Sequence, residues 1–526
     1  MQATSANATT TTAVPTNQWS EIRTLIHQAL DLRSMINCSQ VSKSWSAEFT
    51  PRIWNTINLS SQPRFSELPS NIIAKNGQHI RIVRTVRKKS EFELFRDPSI
   101  QNIEQIRVRP KPSCRQQTFQ LIRRNSRTLL KLDIRMGKSI ISHPDFALED
   151  AFVSPDLDFM PRLTELRIQN LTMTRKALST LLSRCPNLTY IDILSCAIHG
   201  DGRSPGELYQ HKGVIYLHAS YHRVFNPDPD SPSDSDTAVV PLLAHFPKLE
   251  YWNVWAHNIQ LKDSGVESIE TAIKKYSPGV KKLTAYRATG SIVHDLLAKA
   301  FKNIESICFN YENLSTSGIL GFLLHSSTLR TLRAIDPNFR DWSYDADRVI
   351  PVPDPLPNAW MIHMIFSRCA FLTSVDLPEH ELDMDIIDIF PWACKDLARL
   401  RIRIKGLDTK ELIMAMIRKW SRGVYIRRRQ RWMGEQGQTA SKYEGKAIKT
   451  PDSLAAILEE VARALMTDRS DGKDEIDDMI SNDFNSIVPL EIEGEPANPV
   501  VDRVAAHLLK FEKLSEVWLG YKVWRL

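Results

Sequence analysis

Few residues in this 526-residue chain combine the types and spacing that catalysis needs. Gly137-Lys138-Ser139 has the ending of a phosphate-cradling loop, in which glycine amides wrap an anion and a lysine neutralises it. Such a loop needs a second glycine five positions earlier, and that position is Leu132. His218 and His222 share the i, i+4 spacing that lets two imidazoles hold a metal, yet no third ligand accompanies them. The chain contains no His-Glu-x-x-His. Seven cysteines, an odd number without a Cys-x-x-Cys pair, argue for a reducing compartment and against a disulfide framework or a zinc site. The expectation is a chain with no catalytic residue, no metal and no cofactor. Its chemistry would be recognition.

Recognition needs a scaffold, and the sequence supplies a repeated one. The pattern apolar-x-x-apolar-x-apolar occurs at Ile103/Ile106/Val108, Leu129/Leu132/Ile134, Leu163/Leu166/Ile168, Leu188/Ile191/Ile193, Leu249/Trp252/Val254 and Val280/Leu283/Ala285. It returns at Ile304/Ile307/Phe309, Leu329/Leu332/Ala334, Leu372/Val375/Leu377, Leu397/Leu400/Ile402 and Leu514/Val517/Leu519. Several neighbouring copies lie 24 to 26 residues apart. A period in the twenties, with alternation in each copy and a helical stretch such as Ala177, Leu178, Leu181 and Leu182 between copies, is the signature of leucine-rich repeats. The predicted fold is α/β, a curved leucine-rich-repeat solenoid with a parallel strand ladder and outer helices.

The long steps between copies predict insertions near 200–240, 336–358 and 408–500 in a solenoid spanning 61–526. The first two carry the proline-rich runs Asn226–Asp236 and Pro351–Pro357. Cys185, Cys369 and Cys394 each fall three residues before a repeat, where other copies carry Phe246, Phe301, Phe511, Ser126 or Ser326. A residue type that recurs in register fills a packing slot, and a free cysteine does so as a small hydrophobe.

Alternation turns one side chain of each strand outward. Those positions include Arg135, Arg167, Trp255, Tyr286, Arg333, Arg401 and Arg403, and basic residues exceed acidic ones along the strip. Arginine and aromatic side chains dominate binding hot spots, so the strip is the expected contact for a protein client, with a lean toward an acidic or phosphorylated segment.

Ahead of the repeats, residues 18–60 form a separate predicted module after a tail of 17 residues expected to be disordered. Glu21-Ile22, then Asp31 through Val41, Ser42-Lys43-Ser44-Trp45 and the closing Pro51-Arg52-Ile53-Trp54 resemble an F-box, a small all-α module. The match departs at its start, with Gln18-Trp19 where the family has Leu-Pro and Leu32 where it has proline. The resemblance implies docking on a Skp-family adaptor and a cullin scaffold, through Ile22, Leu25, Ile26, Leu30, Met35, Ile36, Val41, Trp45, Pro51 and Trp54. It further implies an SCF-type ubiquitin ligase in which the repeats capture the client. The same residues also read as a helical cap on the first repeat, and the alternative function is then a repeat scaffold for protein–protein interaction without a ligase link.

No run of 18 apolar residues occurs and the first 17 lack the character of a secretory signal, so the chain is expected in the cytoplasm, the nucleus or both, without membrane contact. The net charge of +7 gathers in two basic runs. One is Arg81, Arg84, Arg87, Lys88 and Lys89. The other runs from Arg418 to Arg431 with Trp420, Tyr425 and Trp432 around it, which makes nucleic acid the rival partner class.

Overall fold

The computed structural model describes residues 29–136, 159–194, 196–199, 208–221, 239–256, 263–286, 290–310, 316–335, 359–387, 389–407, 409–435 and 498–519. They fall into two compact units, Met1–Phe246 and Pro247–Leu526. Among the described residues no helix is long and apolar enough to cross a membrane.

The first unit opens with helix α1 (Leu32–Ser39) and helix α2 (Lys43–Asn55). It continues as a parallel ladder of β1 (Thr56–Asn58), β2 (Ile82–Val86), β3 (Gln105–Val108), β4 (Lys131–Arg135) and β5 (Glu165–Gln169). After a short accessory pair, β6 (Thr172–Thr174) with β8 (Ala197–His199), the ladder is completed by β7 (Tyr190–Leu194) and β9 (Tyr216–Tyr221). Ile57, Val83, Ile106, Leu132, Leu166, Ile191 and Leu217 stand in one register row and are all buried. Helix α3 (Arg115–Arg124) and helix α4 (Arg175–Ser183) run between strands, and α4 buries Ala177, Leu178, Leu181 and Leu182, the predicted apolar stripe.

The second unit repeats the plan with β10 (Tyr251–Ala256), β11 (Lys282–Tyr286), β12 (Ser306–Asn310), β13 (Thr331–Ile335), β14 (Ser374–Leu382), β15 (Arg399–Ile404) and β16 (Glu516–Leu519). Trp252, Leu283, Ile307, Leu332, Val375, Leu400 and Val517 form its buried row. Helix α5 (Lys410–Glu435) buries Ile413, Met416, Ile417 and Trp420, and helix α6 (Pro499–Leu508) packs beside it. The fold is therefore α/β with solenoid-like parallel ladders and helices between strands. The second and third positions of all eleven predicted triplets lie on ladder strands, and the first position precedes its strand by two residues.

Neighbouring repeats are tied by one recurring device. The carbonyl one residue after the first apolar position accepts two amides from the next repeat: Glu104 O takes Leu130 N (2.7 Å) and Lys131 N (3.0 Å). A hydroxyl often joins them, as in Thr164 to Leu130 O (3.1 Å), Thr189 to Thr164 O (3.1 Å), Thr373 to Arg330 O (3.0 Å) and Ser515 to Ala398 O (3.2 Å).

Three ladder strands among the described residues lie outside the eleven predicted copies. The stretch near 200–240 read as an insertion contains β9, whose Leu217 and Ala219 are buried, as is Val214 just before it. β1 and β2 extend the ladder backward, so residues 56–58, assigned to the helical module, belong to the repeats. Residues 336–358, Asp408 and 436–497, with all of the polar run 226–236 and the first 28 residues, lie outside the described residues.

Candidate protein-interaction surfaces

The segment that resembles an F-box is built on two capped helices. Asp31 starts α1 by accepting the Ser34 amide at 2.8 Å, and its bonds with Ser34 hold the Asp31 carboxyl below its ordinary value. Ser42 starts α2 by accepting the Trp45 amide at 3.2 Å. The two faces of α2 then part. Phe49 is buried, and beyond it Trp54 meets the edge of Phe65 at 5.7 Å, which itself stacks on Phe95 at 6.4 Å, so the end of α2 packs onto the ladder.

Apolar residues turn to solvent on α1 (Leu32, Ile36), in the turn after it (Val41, 69% exposed) and at the start of α2 (Trp45, 42%). Trp45 leans on Phe49 with ring centres 5.5 Å apart. Leu30, Met35, Pro51 and Trp54 are half-buried, while Ile22, Leu25 and Ile26 lie outside the described residues. Burying a side chain of this size contributes about 1.5–3 kcal/mol, so the exposed set has a sizeable unused driving force for association.

On the ladder face opposite the core, the side chains form charge rows in place of free cations. In the first unit Arg84, Arg107, Asp133, Arg167, Asp192 and His218 stand in register. Asp133 binds Arg107 (2.8 Å) and Arg135 (2.8 Å), Glu165 binds Lys131 (2.9 Å) and Arg167 (2.7 Å), and Asp192 faces His218 at 3.3 Å. Arg167 also lies 5.1 Å above the Tyr190 ring, which stacks on Tyr216 at 4.2 Å. Burial pulls the Arg167 guanidinium down, but Tyr190, Glu165, Asp192 and Asp133 together raise it above its ordinary value.

The second unit follows the same rule. Asp376 holds Arg333 (3.0 Å) and Arg401 (3.5 Å), and Glu381 holds Arg403 (3.9 Å). Of the residues expected to meet a client, Arg135, Arg167, Arg333, Arg401 and Arg403 are thus already engaged within the ladder. Trp255 and Tyr286 are register partners on β10 and β11, with side chains outside the described residues.

Guanidinium groups without such partners gather instead at β2 and β3. Among the described residues no carboxylate lies within ion-pair distance of Arg84, Arg87 or Arg109, and all three are exposed. Burial depresses the Arg109 pKa, and crowding by Arg135, Arg87 and Arg107 adds to this against the pull of Asp133. No single sequence window contained this cluster. The signal was the out-of-phase pair Arg84 and Arg87, three residues apart.

The remaining sequence candidates fall into the core or outside the described residues. Cys185, Cys369 and Cys394 are buried in their repeat slot, and burial pushes their thiols up to about 12, which keeps them protonated. Leu132 is a core residue of β4, and Gly137-Lys138-Ser139 and His222 are not among the described residues. Within the described residues no three histidine, cysteine or carboxylate groups come together to hold a metal. In the second basic run Trp420 is buried, which removes it from any stacking role, and Lys419 pairs with Asp502. No protein-family model matches the chain, and no curated protein matches it in sequence.

Proposed function

We propose that the chain is the client-recognition subunit of an SCF-type ubiquitin ligase, a non-catalytic receptor that binds a Skp-family adaptor through residues near 30–54 and a protein client through its repeats. The observation that carries this reading is the set Leu32, Ile36, Val41 and Trp45, apolar and solvent-exposed on two short helices and the turn between them, ahead of a ladder built for display. The resemblance to an F-box over the same residues agrees with it. Its mechanism is proximity: client and conjugating enzyme held on one scaffold react at a raised effective concentration, with the bond-making on other subunits.

Co-expression of the full chain with a Skp-family adaptor tests this. A stable complex is expected, and Val41→Asp or Trp45→Ala is expected to abolish it while the thermal melt of the repeats is unchanged. A chain that never retains the adaptor sinks the reading. A second reading, a helical cap closing the first repeat, is favoured by Phe49 and by the Trp54–Phe65 contact. The two divide α2 between them, because its end caps and its start does not.

A further inference from the structure

We propose that the outward face of β2 to β4 is a recognition site for a phosphate monoester carried on a client protein, an inference that rests on the client-receptor reading above. Five guanidinium groups, Arg84, Arg87, Arg107, Arg109 and Arg135, share this patch, and among the described residues the carboxylate within ion-pair distance of any of them is that of Asp133, which is committed to Arg107 and Arg135. Glu91 has one carboxylate oxygen capping the amides of Arg87 (2.5 Å) and Lys88 (3.0 Å), and Glu104, three residues before Arg107, faces Arg81 at 3.7 Å.

The backbone is bent to build this patch. Strict alternation would place Arg84 and Arg87 on opposite faces of β2. Thr85 breaks it, with φ at +67° and a register slip between Arg84 and Val86. A β-branched residue in the left-handed region is strained, and a bulge of this kind re-aims side chains. Here it keeps Val86 in the core beside Val108 and turns both Arg84 and Arg87 outward, next to Arg107 and Arg109.

The ligand follows from the shape of the charge. Adjacent strands are about 4.8 Å apart, so three strands concentrate the cations within roughly 10 Å. That suits a compact dianion with three acceptor oxygens, which arginine forks bind in pairs, better than a polymer backbone. The other outward positions of these strands, Gln105, Lys131 and Asp133, are not aromatic, so the strands present no ring on which to stack a base.

The test uses the full-length chain with phosphorylated casein, its dephosphorylated form and an unstructured RNA as probes. The expected result is binding of phosphorylated casein, displacement by O-phospho-L-serine, and no binding of the dephosphorylated form. Arg84→Gln with Arg109→Gln should weaken it at least ~tenfold without altering the melt, whereas Arg333→Gln should leave it unchanged. Equal binding of both caseins, an unaffected double variant, or RNA that binds through these arginines while O-phospho-L-serine does not displace casein would each overturn the proposal. The titration needs no adaptor, so its failure leaves the ligase reading standing, and loss of adaptor binding leaves the phosphate result intact.

Discussion

The side-chain oxygen of Asn125 accepts the backbone N–H of Ile103, one repeat upstream, at 3.1 Å. Its Nδ2 donates to Leu121 O in its own helix at 2.9 Å. His325 occupies the corresponding position in the second unit: its Nδ1 accepts Ile304 N–H at 3.5 Å and its Nε2–H donates to Leu297 O at 2.9 Å. Three residues on, Thr128 and Thr328 donate to Ile103 O (2.9 Å) and Ile304 O (2.7 Å). Asparagine and histidine thus serve one repeat position by presenting an acceptor and a donor on one planar group.

His325→Ala leaves the buried Ile304 amide without its acceptor, and a loss of about 1–3 kcal/mol is expected in denaturant unfolding. His325→Asn should recover part of that loss. Equal midpoints for the two variants would show that packing, and not the shared hydrogen bond, governs this position.

Three buried imidazoles make stability pH-dependent. Burial lowers His245 and His380 to about 4 and, with Lys510 and His363 nearby, His507 to about 3. The unfolded chain takes up these protons near pH 6.5 while the folded chain does not until far lower, so their contribution is complete above pH 6.5 and is lost as pH falls toward 4. The expected slope is about 1.4 kcal/mol per pH unit per histidine within that window. Urea midpoints from pH 7 to 5 read it, and His507→Phe, which keeps an aromatic against Trp392, should flatten it.

Asp133→Asn keeps the shape of the side chain and removes the charge shared by Arg107 and Arg135. Partial exposure of the arginines limits the loss to about 1–2 kcal/mol. The deficit should shrink in high salt, which screens the uncovered repulsion, and a deficit indifferent to salt would refute the electrostatic account.

Trp45 and Phe49 stack on one another yet should respond oppositely to truncation. Phe49→Ala empties a buried site and should cost about 3–5 kcal/mol, whereas Trp45→Ala should change stability by less than about 1 kcal/mol and act on association instead. Paired thermal melts of the two variants separate the capping half of α2 from its exposed half.

Thr85→Gly should relieve the strain of the left-handed backbone and raise stability by about 0.5–1 kcal/mol, net of the lost hydroxyl contact to Asn58 (3.3 Å). A drop in stability would mean that the hydroxyl or the methyl group outweighs the backbone.

The ladder was legible because burial acts on each triplet in the same way, and Leu166 with Ile168 announces a strand as plainly as Leu400 with Ile402. What escaped has particular causes. Val214/Leu217/Ala219 obeys the pattern but sits beside polar runs that suggested a loop. Ile80/Val83/Val86 is stretched by one residue at the Thr85 bulge, and Trp54/Ile57/Leu59 was absorbed into the module ahead of it. The outward arginines were found by alternation alone, which cannot say whether a neighbouring strand supplies a carboxylate. Asp133 and Asp376 settle that across strands 26 and 43 residues from Arg107 and Arg333.

The carbonyl that receives two amides and a hydroxyl gives each stack a polarity under truncation. Trimming a unit from its later repeats uncovers oxygens, which water solvates readily. Trimming it from its earlier ones strands N–H donors and threonine hydroxyls at the new boundary, the harder group to leave bare. Deletions approached from the two directions should therefore be unequally tolerated, and engineered fragments will hold together best when their opening repeat is left intact.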